Sequence, residues 1–351
     1  MIDKPIFWAA PLAVAFLLSG CGGGSGSDSD GSVAGALDNT PPAVSYVTPS
    51  NNAGNVGTNA RLTITFSETM DEASLASSIA LVDEASGSVI VLRDISFDRT
   101  NNIATLTLQA PLTPQRRYRA EVSTSARDLA SNALASAYAW RFDTGAGEDS
   151  TAPTVTSHTP AAGATGVPTD GAVAMSFSEP MDVASVSAAF TLSGGGNAVA
   201  GRLAYVGQAA VFKPDAALTP GSAYVATLRR TATDLAGNAL AGDVVWSFST
   251  GSGTDRTPPL VLNVSPTIDA AQVPRNAVLA VTFSEPIYPF VFGSIDGAMV
   301  EVAIDYATNT ATMIPTTALR ANAAYTASAS ARDLAGNAMP EPYRWVFFTG
   351  P

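Results

Sequence analysis

The sequence predicts an all-β protein built from three tandem β-sandwiches, preceded by a short apolar leader and a flexible tether. Three observations carry that reading: one set of motifs returns three times in register, the apolar residues around those motifs alternate with period two, and the chain's single cysteine lies outside the repeats. Thr40-Pro41-Pro42, Thr151-Ala152-Pro153 and Thr257-Pro258-Pro259 open the repeats, and Phe-Ser-Glu follows each threonine after 26 residues, at Phe66, Phe177 and Phe283. Asp-Leu-Ala-(Gly/Ser)-Asn then begins at Asp128, Asp234 and Asp333, with a tryptophan 12 residues further on at Trp140, Trp246 and Trp345. Such self-similarity at a fixed period marks a repeat architecture. The resulting division is 38–145, 149–250 and 255–351 for the three sandwiches, after a signal peptide at 1–20 and a Gly/Ser-rich tether at 21–37.

The leader begins with a polar stretch containing Lys4, and Ile6 to Leu18 form an apolar run too short to span a bilayer, as in a signal-peptide core. Leu18-Ser19-Gly20-Cys21 resembles the lipobox of bacterial lipoproteins. That resemblance implies cleavage before Cys21, lipid on its sulfur and the membrane as a partner. An ordinary secretory signal followed by a free cysteine is the other reading. Gly22, in place of the aspartate that retains such proteins at the inner membrane, implies an outer-membrane lipoprotein, periplasmic or surface-exposed. The residues after Cys21 are too poor in apolar surface to order themselves and form a tether with an r.m.s. span of about 20–25 Å.

A net charge of −12, with Lys4 and Lys213 the only lysines, excludes a nucleic-acid partner, since phosphate binding needs clustered cations. With Cys21 the only cysteine no disulfide can form, so each sandwich must be held by its own apolar core.

Within each repeat the strand ending in Phe-Ser-Glu alternates: Leu62, Ile64 and Phe66; Val173, Met175 and Phe177; Leu279, Val281 and Phe283. The last strand does the same through Tyr138, Trp140 and Phe142; Val244, Trp246 and Phe248; Tyr343, Trp345 and Phe347. Large rings on the inner face of a terminal strand are core residues. Leu112-Thr113-Pro114 before Tyr118 and Leu218-Thr219-Pro220 before Tyr224 have the form of a tyrosine corner, which the third repeat keeps as Leu319 and Tyr325 without the proline.

Taken together, these motifs resemble the bacterial Ig-like domain family of the SbsA surface-layer type, over residues 38 to 350. The resemblance implies seven-strand Ig-like Greek-key sandwiches that serve as non-catalytic surface modules, and related arrays place calcium at domain junctions. In such a sandwich three loops share the pole where the chain enters the domain. Asp149, Glu179, Asp182, Asp234 and Asn238 of the second repeat therefore converge, as do Asp255, Glu285, Asp333 and Asn337 of the third, where Tyr288 stands in place of the second aspartate. Asp38, Glu68, Asp71, Asp128 and Asn132 hold the same places in the first. Carboxylates and amide oxygens gathered at one pole suit a hard cation such as Ca²⁺, which would bind a linker to the domain after it and stiffen the string. The other reading makes these residues structural. Asp71 and Asp182 then cap helical turns, Asp234 and Asn238 shape a loop, and Gly237 and Gly336 supply positive φ, where Ser131 stands in the first repeat.

Catalysis is not expected. The same acidic residues recur in three domains and one is lost in the third; His158, the only histidine, lacks partners for zinc or a triad and reads as a strand surface residue; Gly194-Gly195-Gly196 has no helix after it to cradle phosphate. The apolar stretch Pro286 to Phe292 of the third repeat reads either as a contact patch or as a loop folded onto its own core. The expected function is a lipid-anchored envelope protein, structural or adhesive, with a surface protein or glycan as ligand. A carbohydrate-binding surface module is the alternative.

Overall fold

The structure is a computed structural model and describes residues 38–289, 292–295, 300–315 and 318–351. The expected signal peptide and tether, with Cys21, lie outside the described residues, which include no helix long and apolar enough to cross a membrane. Residues 39–351 form one compact unit.

The first domain contains β1 (Val44–Thr48), β2 (Ala53–Val56), β3 (Leu62–Phe66), α1 (Glu72–Ser78), β4 (Ile79–Asp83), β5 (Leu92–Asp98), β6 (Ile103–Leu108), β7 (Arg117–Val122) and β8 (Tyr138–Thr144). The second contains β9 (Val155–Thr159), β10 (Ala164–Val167), β11 (Val173–Phe177), α2 (Val183–Ala189), β12 (Phe190–Gly194), β13 (Asn197–Ala198), β14 (Gly201–Val206), β15 (Ala209–Pro214), β16 (Ala223–Leu228) and β17 (Val244–Thr250). The third contains β18 (Val261–Ser265), β19 (Ala270–Val273), β20 (Leu279–Phe283), β21 (Phe292–Ile295), β22 (Val300–Asp305), β23 (Thr310–Pro315), β24 (Ala324–Ser330) and β25 (Tyr343–Thr349).

Each domain is a two-sheet sandwich. The strand orders are β1-β3-β6-β5 over β2-β8-β7-β4, β14-β15-β11-β9 over β10-β17-β16-β12-β13, and β18-β20-β23-β22 over β19-β25-β24-β21. Among the described residues the expected seven strands become eight because the first strand of each repeat splits, and the second domain adds the short β13 as a ninth. Pro49, Pro160 and Pro266 interrupt the ladder, having no N–H to donate, and the chain crosses to the other sheet to pair in parallel with β8, β17 or β25.

The alternation read from the sequence sets each core. Trp140 and Phe142, Trp246 and Phe248, and Trp345 and Phe347 are all buried, although the three indole N–H groups have no hydrogen-bond partner. Tyr118 stacks on Phe142 at 5.7 Å, Tyr224 on Phe248 at 5.6 Å and Tyr325 on Phe347 at 5.8 Å, each pair worth about 0.5–1.5 kcal/mol beyond its area. Each tyrosine closes its corner by accepting a backbone N–H at the hydroxyl, from Thr113, Thr219 and Arg320 at 2.9, 2.8 and 2.7 Å. The third corner closes without its proline because the donor is a backbone group that most residues supply.

Helices α1 and α2 start where Asp71 and Asp182 accept N–H groups of their first turns. In the third domain Tyr288 takes the capping position, its ring packs against the core and Ile287 is fully buried, so this part of the apolar stretch belongs to the core. Gly195 and Gly196, at φ of 57° and 82°, turn β12 into β13, while Gly194 leaves room for the Tyr224 ring. His158 is half-buried and not a surface residue: its ring stacks on Trp246 at 4.3 Å and its Nδ1 lies 3.0 Å from Pro160 O.

Successive domains also pack on one another by one rule. The tip of the β22–β23 hairpin lies across the outer face of the β9-β11-β15 sheet, where Ser176 Oγ donates to Ile304 O at 2.5 Å and Tyr306 N donates to Ser157 Oγ at 3.0 Å. Ala172, Ala174, Ala209 and Val211 on that face join the third domain's core cluster. One domain earlier the contact recurs. Ile103 on the outer face of the β3-β6 sheet joins the second domain's cluster, and Tyr46, across Thr65 in the same register, approaches Gly207 at the β14–β15 tip.

Candidate metal centres at the domain joints

The strand order places the linker, the end of the β11 or β20 strand and the loop before β17 or β25 at one pole of each domain. There Asp149, Glu179 and Asp234 each offer an oxygen within 4.8 Å of the other two, and Asp255, Glu285 and Asp333 do the same at the next joint. Asp234 and Asp333 are almost fully buried, and a neighbouring asparagine holds each. Asn238 N and Nδ2 donate to the two oxygens of Asp234 at 2.8 Å, and Asn337 N and Nδ2 donate to those of Asp333 at 2.8 and 2.7 Å. The two asparagines thus turn their amide nitrogens, not their oxygens, toward the carboxylates. They position an acid instead of supplying an oxygen. Each also reaches the linker, donating to Asp149 O and Asp255 O at 3.2 Å.

Asp182 stands outside the group. Its Oδ1 accepts the N–H groups of Ala184 and Ser185, and its Oδ2 pairs with Arg61 of the first domain at 2.7 Å. A helix that starts at this position needs its first N–H groups satisfied, and both carboxylate oxygens are committed to that cap and to the ion pair. Here the capping reading describes the residue and the ligand expectation is corrected.

Three carboxylates at this spacing repel one another. Burial, with Asp149 and Asp234 beside it, pushes Glu179 up to about 7, and burial with Asp255 and Asp333 does the same to Glu285. A proton or a cation relieves the repulsion. The donors are all carboxylate oxygens, with no nitrogen or sulfur, which fits a hard divalent cation and not zinc.

Sequence reasoning missed the residues that bring the linker to the site. Asn59 of the first domain accepts Asp149 N at its Oδ1 (2.9 Å) and donates its Nδ2 to Asp149 O (3.0 Å); Asp170 of the second accepts Asp255 N at 2.9 Å. A Cβ on Gly57 would stand 2.7 Å from that of Asp149, so glycine permits this approach. Lys213 Nζ bridges Asp170 O and Leu334 O at the second joint. A signal was present: Asn59, Asp170 and Asn276 each stand seven residues before the phenylalanine of Phe-Ser-Glu. Asn and Asp are such common turn formers that the recurrence reads as loop chemistry.

The bacterial Ig-like domain model matches residues 38–144, 149–250 and 255–349. The chain belongs to this family. Among curated proteins none matches the chain. Solved structures similar to these Ig-like repeats include domains 1–6 of the surface layer protein SbsC (10% identity, TM-score 0.27), of which the chain covers 54% while 89% of the chain is aligned. They also include Drosophila N-cadherin EC1-4 (11%, TM-score 0.19, 89% of this chain and 76% of that one). A third is Bacteroides ovatus SGBP-B in complex with a mixed-linkage heptasaccharide (13%, TM-score 0.18, 89% and 71%). The chain thus spans about half the length of the SbsC structure.

Among the described residues no nucleophile stands with a base and an orienting partner, and the lone histidine is occupied by Trp246 and a carbonyl.

Proposed function

We propose that this chain of bacterial Ig-like domains is a lipid-anchored structural or adhesive protein of the cell envelope, held at the outer membrane through Cys21, with calcium stiffening its joints. The observation that carries the reading is the recurrence of one carboxylate trio at successive joints, each trio combining a linker aspartate with two acids of the following domain. A catalytic site needs to be built once; a joint is needed wherever two domains meet. Asp149, Glu179 and Asp234 would hold one ion and Asp255, Glu285 and Asp333 another, each ion adding charge balance where the acids now repel. The carbohydrate-binding alternative requires exposed coplanar aromatics. Trp140, Trp246 and Trp345 are core residues, so no observation favours it.

The test is thermal unfolding of the full chain with calcium and with chelator, beside an Asp149→Ala, Asp234→Ala double variant. The expected result is a melting temperature that rises with calcium in the parent and rises less in the variant, which keeps Asp255, Glu285 and Asp333 but has lost two acids of the other joint. An identical melting curve with and without calcium would remove the metal from the proposal and leave the acids as loop-forming residues.

A further inference from the structure

We propose that the outer face of the β18-β20-β23 sheet in the third domain takes the β5–β6 hairpin tip of a second copy of this chain, so that copies stack head to tail. The inference rests on the repeated packing between neighbouring domains and not on calcium. Strand register makes the three outer faces comparable position by position. Ala174 faces Val211 and Ser176 faces Ala209 in the second domain, as Ala280 faces Thr312 and Thr282 faces Thr310 in the third and Thr63 faces Thr105 and Thr65 faces Ile103 in the first. The first face is covered by the second domain, with Thr63 at 1% exposure; the second is covered by the third domain, with Ala174 at 0%. The third face is open, leaving Val278 at 47% and Ile314 at 41%.

This open face keeps the features of the covered ones. Asn263 and Thr282 occupy the positions from which Ser157 and Ser176 bond the incoming hairpin; Asn263 is exposed, and Thr282 Oγ1 pairs with Thr310 Oγ1 at 3.0 Å, a bond that an incoming strand would exchange. Asn276 stands where Asn59 and Asp170 hold the next linker, and it is exposed. The matching tip exists in the first domain, where Asn101 Nδ2 donates to Ser187 Oγ of the second domain at 3.1 Å and Arg99 and Thr100 stay exposed. Phe97 faces Ala104 as Ile304 faces Ala311, so Asp98 and Arg99 correspond to Asp305 and Tyr306 of the tip that sits on the second domain. Asp98 shapes its turn as Asp305 does, accepting an N–H two residues on. The Arg99 stem can lie along an apolar face while its head reaches water. Face and tip are different surfaces, so the contact is heterologous and leads to open stacks unless the rotation closes a ring.

Sedimentation velocity of the full chain in mild detergent, over a wide range of protein concentration, tests this with two variants at exposed positions: Ile314→Glu on the face and Arg99→Glu on the tip. The expected parent behaviour is growth past the dimer as concentration rises. Each variant alone remains monomeric, and an equimolar mixture of the two stops at a dimer, because one intact face meets one intact tip. Circular dichroism melting curves that match the parent show that both variants are folded. A parent that stays monomeric throughout overturns the proposal. So does a closed dimer that Arg99→Glu leaves intact, which would mean that two third-domain faces pair with each other.

Discussion

Strands β11 and β20 are the same strand of the same fold, each five residues long, yet all of Val173–Phe177 is buried whereas Ala280 and Thr282 in Leu279–Phe283 are half-exposed. The difference lies on the outer face. Domain two offers Ala172, Ala174, Ala209 and Val211 to a neighbour that sits close enough for its carbonyl to meet Ser176; in domain three Val278 is exposed and Ala280 half-exposed, while Thr310 and Thr312 are half-exposed along a cleft shared with Thr156 and Gln208. Small side chains let another strand's backbone approach, so a face of alanines and serines becomes an interior without changing the strand's inner pattern. The inward residues decide that a sandwich forms, and the outward ones decide whether it stands alone.

The largest expected effect breaks this contrast directly. Ala174→Arg forces a charge and extra volume into a closed interface and should cost about 3–5 kcal/mol, whereas Ala280→Arg at the matching position should change stability by less than about 1 kcal/mol. Urea unfolding of the two variants measures both. Equal losses would mean that the second face is not buried by its neighbour.

A smaller effect concerns the acids at the two joints. Glu179 and Glu285 are raised from an ordinary 4.5 to about 7, so the fold favours their protonated forms. Their contribution to stability is complete below 4.5 and is lost as pH rises through about 7. In chelator the melting temperature should therefore fall between pH 5 and pH 8. Calcium should flatten that slope by taking the proton's place; a slope unchanged by calcium counts against the metal.

The smallest effect separates the first repeat from the other two. Ser131 holds φ at 72° where Gly237 and Gly336 hold 95° and 112°, a region that an L side chain enters at a cost. Ser131→Gly should stabilise the first domain by roughly 0.5–1 kcal/mol, seen as a higher urea midpoint. The reverse change, Gly237→Ser, should destabilise the second domain by a similar amount.

Much of the fold was legible because its signals are local. Alternation found β3, β11 and β20 and the three closing strands, and the Leu-x-Pro turn before tyrosine found two of the three corners. The third followed by register. The crossing strands β2, β10 and β19 were not legible, since four residues such as Ala53–Val56 carry no clear period and their pairing in parallel with a strand far along the chain is a long-range event. In the candidate site the acids were found by repetition, and topology brought together Asp149, Glu179 and Asp234. Asp182 was grouped with them because sequence proximity cannot tell which way a carboxylate at the end of a loop turns. The helix N–H groups and Arg61, 121 residues away, decide that.

By itself the sequence determined three all-β domains with aromatic cores and acidic joints, because side-chain alternation, turn chemistry and core filling act within a few residues or within one repeat. Only the tertiary structure decided which acids meet, that Asn59 and Asp170 of the preceding domains hold the linkers, and which sheet faces are covered. Those outcomes depend on surfaces tens to more than a hundred residues apart, where a period-two pattern is the same whether the outward side chain meets water or another domain.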